Sequence, residues 1–175
     1  MLVVSDATPL NILVCCGHIE VLPKLFESVI IPPAVAAELA HSRAPKHVRD
    51  WLASRPPWLS IQAPIKILAE VPNDPGEREA ISLAKELRAD LLLVDDRKAR
   101  IAARRHGIRL IGTIGILEEA ALRHIVDLPA AFQRLPADFS IHPRILGDAL
   151  QRDAIRRAVE EKKREGPSRL NSRPD

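Results

Sequence analysis

LLLVDD, residues 91–96, is the stretch on which the reading of the fold turns: four apolar residues run directly into two adjacent aspartates. A short, continuously apolar run of this kind is the pattern of a parallel strand buried on both faces. The N-terminus repeats the arrangement, with Leu2, Val3 and Val4 leading to Asp6. Open α/β sheets bind ligands beyond the carboxyl ends of their strands. Two such strands side by side bring Asp6 and Asp95 to one rim. Gathered carboxylates repel one another unless a cation joins them, so the pattern proposes a metal site on chemical grounds alone.

Working outward, strands and helices alternate. A strand at 2–4 is followed by a helix to about residue 16, with Asp6 or Thr8 able to cap it and Pro9 suited to its first turn. Gly17 ends that helix, and a second runs over 19–26. A β-branched strand at 28–31 closes at Pro32-Pro33, and helices follow at 34–40 and 44–54. Residues 58–61 read as an edge strand. Pro64 and Pro72 argue against one continuous element over 62–73. Asp74-Pro75-Gly76-Glu77 opens a helix whose Ala80, Ile81, Ala84 and Leu87 form an apolar stripe. A basic helix follows Asp96 and stops at Gly107. Residues 108–111 make the last strand, and a helix over 114–122 succeeds it. Short connections between alternating strands and helices predict a three-layer α/β/α sandwich with a mostly parallel central sheet. Further helices are expected near 128–135 and 143–163.

The organisation expected is a main domain over 1–125, a helical extension over 126–152 and a charged tail over 153–175, with disorder from Gly166 onward. Residues 1–150 hold 18 basic and 18 acidic side chains, whereas 151–175 hold 8 and 5, so the net +3 resides in the tail. Removing residues 154–175 is therefore expected to leave the main domain folded. Tyrosine is absent and aromatics amount to 3%, which speaks against an aromatic platform for unstacked bases. No apolar run reaches the roughly 20 residues of a membrane span, and Asp6 interrupts any leader-like start. Cys15 and Cys16 read as buried thiols of a cytoplasmic protein rather than a disulfide or zinc signal.

Among the acids, Asp6 is either a helix cap or a ligand. Asp95 and Asp96 point different ways if the strand continues, so at most one is an inner ligand; Asp95 is the better candidate, with Asp96 helping to cap the next helix. Glu77 lies three and four residues before Ala80 and Ile81 and extends their stripe toward the sheet, where a carboxylate needs a partner. Glu79 lies off that stripe, toward Ser82 and Lys85. Glu38 flanks the Val35–Leu39 pair. Asp74 has the Asp-Pro turn signature and reads as structural. Carboxylates without cysteine–histidine spacing favour a hard ion, Mg²⁺ or Mn²⁺, as one or two ions. Arg97, Arg100 and Arg104 share a helix face, either to hold a phosphate backbone or as plain solvated charge.

With these residues in place, the chain resembles the PIN-domain family, in particular its VapC-related DUF3368 branch. The resemblance is carried by VVSDATPL at 3–10, VIIPPAVAAEL at 29–39, DPGEREAISLAKELRADLLLVDD at 74–96 and GIRLIGTIGIL at 107–117, and by DFSIHPRILGDAL at 138–150. It implies four principal acids at Asp6, Glu38, Glu77 and Asp95, with Asp96 as an outer or alternate ligand. Thr8 and Thr113 match hydroxyl positions of the rim; Arg97, Arg100 and Arg104, read above from their shared helix face, complete the candidate substrate contacts. The activity implied is Mg²⁺- or Mn²⁺-dependent endoribonuclease. The partners implied are RNA, a small antitoxin protein covering the acidic groove, and a second copy in a homodimer; no membrane is expected. The competing class is a non-catalytic PIN-like RNA-binding or regulatory protein.

Overall fold

The computed structural model describes residues 1–139 and 141–165. Five short strands form the centre: β1 (Val3–Ser5), β2 (Val29–Ile31), β3 (Leu59–Ile61), β4 (Leu91–Leu93) and β5 (Leu110–Ile111). They lie in the order β3-β2-β1-β4-β5, and every pairing is parallel. β1 pairs with β4 in the register Val3–Leu91, Val4–Leu92, Ser5–Leu93. The chain winds outward from β1 through β2 to β3, then returns to the other side of β1 for β4 and β5. The reversal makes the β1–β4 crevice a topological switch point, the place where such sheets accept ligands.

Strand side chains alternate between the two faces. Val3, Val29, Ile31 and Leu93 face a core with α1 (Ala7–Cys15), α2 (Val21–Phe26), α3 (Pro33–Ala40), α4 (Lys46–Ala53), α7 (Thr113–Leu122) and α8 (Leu128–Gln133). Val4, Leu92 and Val94 face a second core made by α5 (Pro75–Glu86) and α6 (Arg97–Arg105). The second core is built largely from small residues, Ala80, Ala84, Ala99, Ala102 and Ala103, which lets both helices lie close to the strands. The result is the three-layer sandwich expected, and its sheet is parallel throughout.

The differences are local. The Leu91 strand ends at Leu93; Val94 beyond it is buried and its amide still donates to Ile111 O at 3.0 Å, and Asp95 follows outside the strand. Gly17 and Gly107 adopt the left-handed conformation, φ +72° and +73°, as helix-ending glycines do. Residues 62–73 form neither helix nor strand. Cys16 is buried, but Cys15 is only half-buried, so one of the two thiols expected inside is partly open; its Sγ lies 3.2 Å from His47 Nε2.

α9 (Pro143–Glu165) runs unbroken, as the helix expected over 143–163, and so crosses from the extension into the charged tail that begins at residue 153. It lies against α7 and α8, tied by Arg152–Glu118 at 2.8 Å and Arg157–Asp127 at 2.9 Å. The disorder expected from Gly166 falls outside the described residues. No helix among the described residues is long and apolar enough to cross a membrane.

Candidate functional site

The exit of β1 is fastened to the exit of β4: the Asp6 amide donates to Leu93 O at 3.0 Å. Asp6 then caps α1, its carboxylate accepting from the Thr8 amide at 3.5 Å. It is buried, with 3% of its surface exposed. Burial pushes its carboxyl up to about 6; the Ala7 and Thr8 amides pull it back, and the charges of Asp74 and Asp95 raise it again. Thr8 thus serves the site through its backbone N–H.

Glu38 arrives from the last turn of α3. That helix is held against α5 by a contact the sequence concealed. Glu79 does not turn toward Ser82 and Lys85; its Oε2 accepts from the Ala34 amide at 2.9 Å and satisfies an orphan donor of α3. The docking sets Glu38 opposite the start of α5. There Asp74 caps the helix, accepting from the Glu77 amide at 3.0 Å, and Gly76 follows. A Cβ on Gly76 would lie 3.1 Å from Glu38 Oε2, 3.3 Å from Asp74 Oδ1 and 3.4 Å from Asp6 Oδ1. Three carboxylates therefore gather over one bare Cα. Burial, then Asp6 and Asp74, raise Glu38 to about 7.

Glu77 and Asp96 line an adjoining cavity of about 630 Å³, which Asp74 also borders. Burial, followed by Asp96, Asp6, Asp74 and Glu38, lifts Glu77 to about 7. Asp96 is the cap of α6, accepting from the Lys98 and Ala99 amides at 2.7 and 2.9 Å, which is the capping role expected of it. Asp95 turns to Thr113: Oδ1 accepts from the Thr113 amide at 2.8 Å, and Oδ2 from its hydroxyl at 2.6 Å. Burial raises the Asp95 carboxyl, while these bonds and the Arg100 charge pull it down. Arg100 Nη1 in turn donates to Val94 O at 2.9 Å. A Cβ on Gly112 would lie 2.7 Å from Asp95 Oδ1 and 2.8 Å from Arg100 Nη1, so any larger residue there displaces one of these two side chains.

The DUF3368 family of PIN domains matches residues 2–154. The chain belongs to that family. Among solved structures it is similar to a PilT N-terminus domain protein, SSO1118, from the hyperthermophilic archaeon Sulfolobus solfataricus P2. The identity is 21%, covering 81% of this chain and 100% of that one, with a TM-score of 0.48. No curated protein matches.

In this PIN domain the four expected acids share one rim but not one point. Asp6 and Glu38 meet, joined by Asp74, which sequence reasoning set aside as a turn residue. Its Asp-Pro-Gly setting carries a usable signal, since a glycine in the first turn of a helix, two residues after the capping aspartate, leaves room for side chains from elsewhere. Glu77 stands with Asp96, and Asp95 with Thr113 and Arg100. The donors suit a hard divalent ion, being carboxylate oxygens with raised proton affinity beside a cradle that a methyl group would fill. Among the described residues, however, no three His, Cys, Asp or Glu side chains stand where they could grip one ion together. Arg97, Arg100 and Arg104 line a separate groove of about 790 Å³ that opens beside Asp95.

Proposed function

We propose that this PIN domain acts on RNA at the acidic rim as a Mg²⁺- or Mn²⁺-dependent endoribonuclease. The observation that carries the reading is the gathering of Asp6, Glu38 and Asp74 over Gly76, at the switch point of the sheet. Asp6 and Glu38, with Glu77 and Asp95 from the neighbouring turns, are the residues to hold the ion, one or two in number. A divalent ion bound there supplies an activated water and neutralises charge developing on a phosphodiester. The chain's own part is to fix the carboxylates through the Asp6–Leu93 and Glu79–Ala34 bonds and to offer Arg97 and Arg104 to phosphates. Within this proposal stand the narrower VapC-like relation, a toxin's role with a small antitoxin over the acidic groove, and a homodimer.

A second reading, a non-catalytic PIN-like RNA-binding or regulatory protein, has its own observation. Both Asp95 oxygens are engaged by Thr113, and the acids as they stand form no ligand set. In this arrangement of side chains that observation favours the second reading. The nuclease reading requires Glu77 and Asp95 to swing toward Asp6 when a cation arrives.

One experiment separates them. A mixed pool of structured RNAs is incubated with wild type, Asp6→Asn and Asp95→Asn, in Mn²⁺ and in chelator, and new RNA ends are mapped. Cleavage by wild type in Mn²⁺ alone, lost in both folded variants, is the nuclease outcome. RNA bound but left intact by metal-loaded, partner-free protein is the non-catalytic one.

A further inference from the structure

The groove beside Asp95 has two unlike walls. One is the face of α6, where Arg97 and Arg104 are exposed and take part in no ion pair among the described residues. Seven residues of helix separate them by about 10 Å, so they are two distinct anchors rather than one. Arg100 between them is already committed to Val94 O. The other wall comes from the C-terminal extension, through Phe139 and His142. Phe139 is half-buried and lines the groove. His142 Nδ1 accepts from the Arg144 amide at 3.2 Å, which leaves Nε2 as the donor of the neutral ring.

An apolar ring and a single donor facing unpaired guanidinium groups match a strand with a charged backbone and flat, hydrogen-bonding bases. A duplex hides its base faces, whereas a single strand exposes them. We infer that this groove is a nucleotide subsite for single-stranded RNA. A base stacks on Phe139 with its edge toward His142, Arg97 and Arg104 hold flanking phosphates, and the strand runs on to the acidic rim at Asp95. The inference rests on the reading that this PIN domain engages RNA, and it gives the extension a task in choosing which nucleotide lies next to the rim. The scarcity of aromatics speaks against an extended stacking platform, whereas this subsite asks for one ring only.

The test is fluorescence anisotropy with the full chain in chelator, using a short labelled single-stranded RNA and versions of it with one base removed at a time. Loss of one stacked base is expected to weaken wild-type binding about ten-fold at a single position. Phe139→Ala should lose about as much on the intact RNA and nothing further on that abasic RNA, while Phe139→Trp retains affinity. Arg97→Ala should reduce the salt dependence by about one unit of slope, which Phe139→Ala leaves alone. The abasic series needs no variant, so it decides the matter even if Phe139→Ala fails to fold. Equal affinity across the abasic series, with the Arg97 effect intact, overturns the subsite and leaves RNA binding standing. A polyglutamate peptide competing as strongly as unlabelled RNA shows a groove that reads charge alone, and overturns it too. Wild type that binds no RNA removes both the subsite and the reading beneath it.

Discussion

Gly76 lacks a side chain where three carboxylates converge, and this makes it the sharpest probe of the site at the residue scale. An added methyl would lie 3.1–3.4 Å from oxygens of Glu38, Asp74 and Asp6, close enough to push each aside by a few tenths of an ångström. Helix position works the other way, since alanine is favoured over glycine by up to about 1 kcal/mol. Gly76→Ala is therefore expected to keep its thermal midpoint within about 2 °C of wild type. Its Mn²⁺ affinity in calorimetry should fall about ten-fold, about 1.4 kcal/mol. Undiminished binding would place the ion elsewhere on the rim. Asp6 and Asp95 show why residue identity alone does not make a ligand: each has neighbours that already satisfy part of its carboxylate.

At the scale of elements, α9 repays attention because its inward face is charged. Asp153 is 6% exposed and lies between Arg156 and Arg157, the latter at 2.7 Å. Arg157 also reaches Asp127 on the cap of α8. Removing residues 154–175 strips Asp153 of both partners and leaves Asp127 unpaired. Breaking a buried pair costs about 3–5 kcal/mol, and less here because Arg157 is half-exposed. The truncated protein is expected to unfold cooperatively but about 5 °C lower in a thermal scan, a loss of about 2 kcal/mol. An unmoved midpoint would show that these ion pairs contribute nothing to docking. In sequence the same segment reads as the charged end of a helix, because charge there is dense and helical spacing does not distinguish a buried aspartate from an exposed one.

For the whole molecule, the acidic rim links stability to pH and to metal. Asp6 is raised to about 6, and Glu38 and Glu77 to about 7, all by burial first and then by neighbouring carboxylates, Asp74 acting on all three. The native state therefore binds protons more tightly than the unfolded chain does. The stability this lends is fully present below the ordinary carboxyl range, near pH 4, and is lost as pH rises through about 6 to 7. In chelator, the thermal midpoint is expected to fall between about pH 5 and pH 8. Mn²⁺ replaces the protons and should restore it at the alkaline end. Asp6→Asn keeps a cap but removes a buried charge, so it should be more stable than wild type at pH 8 in chelator, and less responsive to Mn²⁺. A midpoint flat across that range, with and without Mn²⁺, would mean that the acids are too well solvated to repel.

How much was legible follows from the range of each interaction. LLLVDD and the strand before Asp6 declared buried parallel strands because apolar runs, capping aspartates and stop glycines act over a few neighbouring residues. From these came the layered fold, the rim and most of its acids. Sequence also assigned Asp96 to the cap of α6, since Asx capping is local. Only the tertiary structure decided that Asp74 joins Asp6 and Glu38, that Glu79 reaches across to α3, and that Asp95 answers to Thr113. It alone brought Phe139 and His142 opposite the arginines of α6. Those contacts join residues distant along the chain, and their geometry depends on how α3, α5, α6 and α9 seat on the sheet, which is set by the summed packing of two cores and not by any local pattern.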